Sequence, residues 1–255
     1  MPLVTLTTDY GLSDPYAASL KGELWRQMAD LQVVDISHNV NNFDIVQAAF
    51  IFKNAWSHFP VGTIHLITVN DLPAARRNYL LVRQFDQYFI CPDNGMLHLL
   101  FEALHGPVYR LSFNKKENQS LGRQVALVIS QLIRKLPLEQ IGPLAGDTVR
   151  RLSLQPVINN QQIRGTIIYI DNYDNAISNI SRTLFDQVGQ GRPFEISFKR
   201  HPALTRLSKD YDEVDIGDPI CLFNRAGYLK IAVNMGKAAS LLGLRLEEMI
   251  QIDFQ

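Results

Sequence analysis

The 255-residue chain is poor in cysteine, has no excess of either charge and carries no long apolar run, and each shortage removes a class of function. Only Cys91 and Cys221 occur, far apart and outside any CxxC or Cys/His spacing, so neither a disulfide framework nor a metal site is suggested. Two buried thiols are expected instead. The 25 basic residues balance 25 acidic ones, and no basic cluster is interleaved with aromatics, so nucleic acid is not an expected partner. No stretch reaches the length of a membrane span, and MPLVTLTTDYG at the start has neither a basic nor a long apolar segment. A cytoplasmic protein without membrane contact is expected. What the chain does have is 46% hydrophobic residues, enough for a sizeable core, in a length that suits one large or two modest domains.

The first half alternates strand-like and helix-like patterns: LVTLTT, a helix over about 15–28, VVDIS, a helical FDIVQAAFIFKNA, then TIHLITV. That alternation predicts an α/β domain with a mostly parallel or mixed sheet. YLLVRQ and QYFICPDNG stand close enough for a hairpin, and Leu121, Val125, Val128, Ile129, Leu132 and Leu136 mark one face of a further helix. Between Leu136 and Asn160 the sequence turns rich in Pro, Gly, Asn and Gln, which reads as a boundary. We therefore expect an α/β domain over 1–157 and a second domain over 163–255, whose short β-branched segments suit a small barrel or sandwich.

TLTTDYGLSDPY, near the start, sets two carboxylates where a strand ends. Ligands in open α/β sheets sit beyond the carboxyl ends of strands, so Asp9, with Gly11 easing the turn, stands where binding residues stand. A carboxylate offers two acceptor oxygens and suits a vicinal diol. Asp14 precedes Pro15, the pattern of an N-cap followed by proline at the first helical position, although a helix start can also meet a charged ligand group.

TTDYGLSDPY, VVDISHNVNNFDIVQAAFIF, CPDNGML, YIDNYDNAISNI and NRAGYLKIAVNMGKAASLLGL, in this order from about Thr5 to Leu244, resemble the S-adenosylmethionine hydroxide adenosyltransferase family, the hydrolase branch related to fluorinase and chlorinase. The resemblance implies a Rossmann-like N-terminal domain and a C-terminal β-barrel. It also implies a homotrimer whose substrate lies between the N-terminal domain of one subunit and the C-terminal domain of its neighbour. The implied reaction is attack of water or hydroxide at ribose C5′ of S-adenosylmethionine, giving adenosine and methionine without metal or cofactor.

By family position, Asp9 takes the ribose hydroxyls, and Asp14 and Tyr16 lie near the methionine amino and carboxylate groups. DNYDN, containing Tyr173 and Asn175, falls on the family's Asp-x-aromatic-Gly-Asn block, in which the final Asn pairs with an adenine edge; Asp174 stands at the Gly. Tyr211 falls at an adenine-stacking aromatic, and Asn224 and Arg225 at methionine-carboxylate contacts, where a plain β-turn explains Asn224 almost as well. The family's nucleophile-orienting Asp and Arg fall on Asp71 and Arg76, if the loop in VNDLPAARR is two residues shorter than its VVDPGVGxxRR counterpart. The histidine of the later HGRD block falls on Leu121, which can neither accept nor relay a proton. His98 and His105 are the nearest alternatives in sequence, and Arg123 and Gln124 follow the replaced histidine. Three readings remain open: a divergent hydrolase, a non-catalytic binder of an adenosyl ligand, and, with least support, a halogenase.

Overall fold

A computed structural model describes residues 1–71, 76–114, 120–151, 155–199 and 201–255, the side chains of residues 76, 77 and 114 excepted. The chain divides into two compact units, Met1–Ser153 and Leu154–Gln255.

The first unit is a mixed sheet with helices on both faces. Its strands are β1 (Leu3–Thr8), β2 (Gln32–Ser37), β3 (Ile64–Thr68), β4 (Arg76–Gln84), β5 (Gln87–Pro92) and β6 (Val108–Asn114), in the order β2-β1-β3-β5-β4-β6. β2, β1, β3 and β5 run parallel, and β4 runs antiparallel between β5 and β6. The helices are α1 (Tyr16–Gln27), α2 (Ile45–Lys53), the short α3 (Met96–Leu100), α4 (Leu121–Ile133) and the single turn α5 (Leu138–Ile141). The run YLLV in β4 has no polar alternation because both sheet faces are covered. Tyr79 and Leu81 join Leu20, Leu24, Val125 and Ile129 in one core, while Leu80 and Val82 join Ile45, Phe52, Leu97 and Leu100 in the other.

Three boundaries differ from the sequence reading. The helix expected over Phe43–Ala55 starts only at Ile45, because Asp44 caps it by accepting from the amides of Val46 (3.1 Å) and Gln47 (2.9 Å), and Phe43 is left outside at a φ of 68°. At α1, Pro15 rather than Asp14 holds the cap position, with no side-chain cap bond. α4 stops at Ile133, so Leu136 lies beyond it. The hairpin joining β4 to β5 turns on Phe85 and Asp86, both at positive φ (50° and 57°), the geometry that matches strand twist in a two-residue loop.

The second unit is a curled antiparallel sheet of β7 (Val157–Ile158), β8 (Gln162–Ile170), β9 (Ala176–Ser181), β10 (Phe194–Phe198), β11 (Pro219–Phe223), β12 (Tyr228–Val233) and β13 (Met249–Phe254). The order is β10-β13-β8-β9-β12-β11, with β7 beside β8. Leu204 bridges to Ile196 on β10, and Ser208 donates to the Cys221 carbonyl on β11 at 2.9 Å, so one short segment touches both edge strands. Helix α6 (Arg182–Gly189), capped by Ser181, and the short α7 (Ala238–Leu242) complete the unit.

Candidate functional site

From β1 the chain crosses through α1 to β2 on one side of the sheet, then through α2 to β3 on the other. The carboxyl ends of β1 and β3 therefore form a topological switch point, where open α/β sheets leave a crevice. Thr8 and Thr68 are paired neighbours there, and Asp9, Asn70 and Asp71 follow them.

Asp9 is 9% exposed. Its Oδ2 accepts from the amides of Phe43 (2.9 Å) and Asn70 (3.1 Å), and its carbonyl accepts from Asn42 Nδ2 (3.0 Å). Phe43 and Asn70 both have positive φ, 68° and 54°, conformations that cost side-chain-bearing residues on the order of 1 kcal/mol or more. The carboxylate thus holds two strained turns in place with one oxygen. Among the described residues its Oδ1 takes no hydrogen bond, which leaves one acceptor atom, with two lone pairs, for something else. Asn94, from the CPDNGML block, supports the same loops: its Nδ2 donates to the carbonyls of Val69 (3.0 Å) and Asn70 (3.3 Å).

Around this turn Leu12 (70%), Tyr16 (61%) and Phe43 (61%) are exposed, and the Tyr16 ring lies 6.0 Å from that of Tyr10. Asp14 is exposed and makes no cap bond, which removes the capping role read from its place before Pro15. Asp71 is half-buried and directly follows Asn70, so the clamp on Asp9 also fixes the backbone that carries Asp71. Arg76 opens β4, and its side chain lies outside the described residues. Leu121 is a core residue, 8% exposed and packed with Val125 and Ile129. Neither alternative histidine is uncommitted: His98 Nε2 lies 2.8 Å from Thr148 Oγ1, and the His105 ring packs edge-on against Phe85.

In the second unit, Asp171 organises DNYDN. Its Oδ1 accepts from the amides of Tyr173 and Asn175 (2.9 Å each), and its Oδ2 from Asn175 Nδ2 (2.9 Å). Asn175 is 5% exposed, and this bond commits one of its two amide protons; the expected adenine edge would meet what remains, Oδ1 and the second proton. Tyr173, by contrast, is 77% exposed. Asp174 takes a φ of 67°, and its Oδ2 accepts from the amide of Ser240 (2.7 Å) in the first turn of α7. That backbone donor holds its carboxyl below the ordinary carboxylate range. Tyr211 sits in a 3-10 turn, and its hydroxyl accepts from Lys230 Nζ (2.7 Å). Asn224 closes the β11–β12 turn, with Oδ1 accepting from the Tyr228 amide (2.9 Å), while Arg225 is exposed.

Asn42, Phe43, Asn70 and His38 were not singled out by the sequence. Phe43 reads as helical from its periodicity, Asn42 acts through a side-chain amide brought to Asp9 from 33 residues away, Asn70 through its backbone amide, and His38 from burial. Among the described residues no three His, Cys, Asp or Glu side chains converge as a metal site, and no helix is long and apolar enough to cross a membrane.

A switch point with a half-committed carboxylate is where open α/β sheets take their ligands, and comparison with known proteins gives the family. Residues 4–142 match the model for the SAM hydroxide adenosyltransferase N-terminal domain, and residues 165–251 match the C-terminal domain. The chain belongs to the SAM hydroxide adenosyltransferase family. It is 28% identical to the (R)-S-adenosyl-L-methionine hydrolase of Thermus thermophilus, over 95% of this chain and 96% of that protein. It is 25% identical to a fluorinase of an Actinoplanes species, over 93% of each. Among solved structures, an uncharacterized conserved protein from Thermotoga maritima superposes with a TM-score of 0.85 at 27% identity, covering 98% of this chain and 99% of that one.

Proposed function

We propose that this protein hydrolyses S-adenosyl-L-methionine to adenosine and L-methionine through a Rossmann-like N-terminal domain and a barrel-like C-terminal one. Asp9 Oδ1 accepts from the ribose hydroxyls, and Asp71 and Arg76 orient the attacking water. Asp14 and Tyr16 meet the methionine end. Tyr173, Asn175 and Tyr211 meet the adenine, and Asn224 and Arg225 the methionine carboxylate. The working form is a homotrimer in the cytoplasm.

In the reaction, water oxygen forms a bond to C5′ while the C5′–S bond breaks. The electron pair of that bond goes to sulfur, which leaves as the neutral thioether of methionine, so no proton donor is needed. The proton lost by water passes to Asp71 or to solvent. No cofactor has a step to perform. The protein's task is to align the nucleophile with the C5′–S bond and strip it of water.

The observation that carries the reading is the division of labour at Asp9, one oxygen clamping two strained turns and the other open at the switch point. The full-length hydrolase relatives support the substrate. A second reading, binding without turnover, draws on Leu121, a core residue at the position where the resemblance sets the family's histidine. Incubating the pure protein with S-adenosyl-L-methionine and chromatographing for adenosine separates them. Adenosine and methionine in equal amounts support hydrolysis, and calorimetric binding without product selects the second reading.

A further inference from the structure

Beneath Asp9 lies a buried polar chain that the proposed reaction does not use. Thr8 is fully buried and His38 is 3% exposed. Thr8 Oγ1 lies 2.8 Å from His38 Nδ1 and accepts from the Tyr10 amide at 3.2 Å. His38 Nε2 lies 3.0 Å from Asp35 Oδ1 but off the hydrogen-bond axis, and Lys21 holds the other Asp35 oxygen at 2.5 Å.

Carboxylate, imidazole and hydroxyl in a row is the arrangement that activates a nucleophile. Here Thr8 Oγ1 has no access to solvent and already takes an amide, so it has nothing to attack. What the row does is mechanical. His38 holds the chain on both sides of Asp9: its ring meets Thr8, and its carbonyl accepts from the Gly11 amide at 2.7 Å. The Asn42 amide group grips the Asp9 carbonyl between them. The turn that presents Asp9 is thereby pinned at every residue from 8 to 11.

We propose that His38, acting through Thr8, is the positioning residue for Asp9, fixing the carboxylate to the tolerance a diol contact needs. This rests on the reading that Asp9 binds a ribose, and it adds the device that aims it. Thr8→Val keeps shape and removes the hydroxyl; Thr8→Ser keeps the hydroxyl. His38→Asn keeps a polar atom toward Thr8 and the carbonyl toward Gly11.

The test uses the full chain in two measurements, amide hydrogen exchange without ligand and calorimetry with adenosine. Losing one such bond corresponds to about a tenfold effect. Thr8→Val should speed exchange at Tyr10, Gly11 and Phe43 about tenfold, sparing the strand amides, and weaken adenosine binding about tenfold. Thr8→Ser should restore both, and His38→Asn should stay near wild type where His38→Leu fails. The proposal is overturned if Thr8→Val changes neither quantity, if exchange rises equally across the sheet, or if Thr8→Ser does not rescue. Should Thr8→Val not fold, the contrast between His38→Asn and His38→Leu decides. Wild-type protein that ignores adenosine removes the ligand reading alone, since the exchange pattern still judges the positioning pair.

Discussion

Replacing Asp9 by alanine and by asparagine separates its two roles. Alanine removes the acceptor that serves the Phe43 and Asn70 amides, at 2.9 and 3.1 Å, and leaves two partly buried donors beside backbone held at positive φ. An unsatisfied donor costs about 1–3 kcal/mol, so the loss should be about 3 kcal/mol, or roughly 6–12 °C in melting temperature for a unit of this size. Asparagine can turn its carbonyl oxygen to the same two amides, keeping a weaker neutral clamp and losing about 1 kcal/mol. Its amide nitrogen then faces the side where Oδ1 stood and sets donors against the donors of a ribose diol. Two charge-assisted bonds at about 1.5 kcal/mol or more each predict an affinity loss of over about a hundredfold. Differential scanning calorimetry and titration with adenosine read the two effects independently. The reasoning fails if Asp9→Asn binds adenosine like the wild type, or if Asp9→Ala melts at the wild-type temperature.

Asp71→Asn should suppress turnover of S-adenosyl-L-methionine more than it weakens adenosine binding, and equal losses in single-turnover and calorimetric measurements would remove its water-orienting role. Asp174→Ala should destabilise the second unit by about 2 kcal/mol in urea melts, since it loses the bond to Ser240 and strains a φ of 67°, whereas Asp174→Asn should be mild. His65 lies fully buried between Thr5 and Gln87, and burial lowers its pKa to about 4. The unfolded chain binds this proton near pH 6.5 and the folded chain only near 4, so stability should fall by about 3 kcal/mol as pH drops through that window. His65→Gln should flatten that part of the pH–stability curve, and an unchanged slope would show that His65 does not set it.

Much of this was legible where local chemistry decides. The alternation of LVTLTT, VVDIS and TIHLITV marks β1, β2 and β3, and the acid just after β1 falls at the switch point because strand ends there are fixed by topology. Asp174, which the resemblance sets at a glycine, takes a positive φ of 67°. Less legible was whatever depends on long-range burial. Phe43 continued an apolar periodicity but lies outside α2, since Asp44 wins the cap and Asp9, 34 residues away, holds the Phe43 amide. His38 looked like any polar residue after a strand until Thr8 was brought beside it. Asp14 read as a cap from its proline, yet Pro15 itself occupies the boundary and the carboxylate falls one residue short. In the second unit the β-branched segments announce strands, while α6 is hard to read because its apolar face, Leu184, Phe185 and Val188, spans only eight residues, too few to separate from a strand segment.

The most direct measurement is a crystal structure of the protein soaked with adenosine. The ribose 2′ and 3′ hydroxyls should lie within hydrogen-bond distance of Asp9 Oδ1 while Oδ2 keeps the amides of Phe43 and Asn70. Adenosine bound with its sugar oxygens directed away from Asp9, or an Asp9 that releases both amides to reach the ligand, would contradict the account.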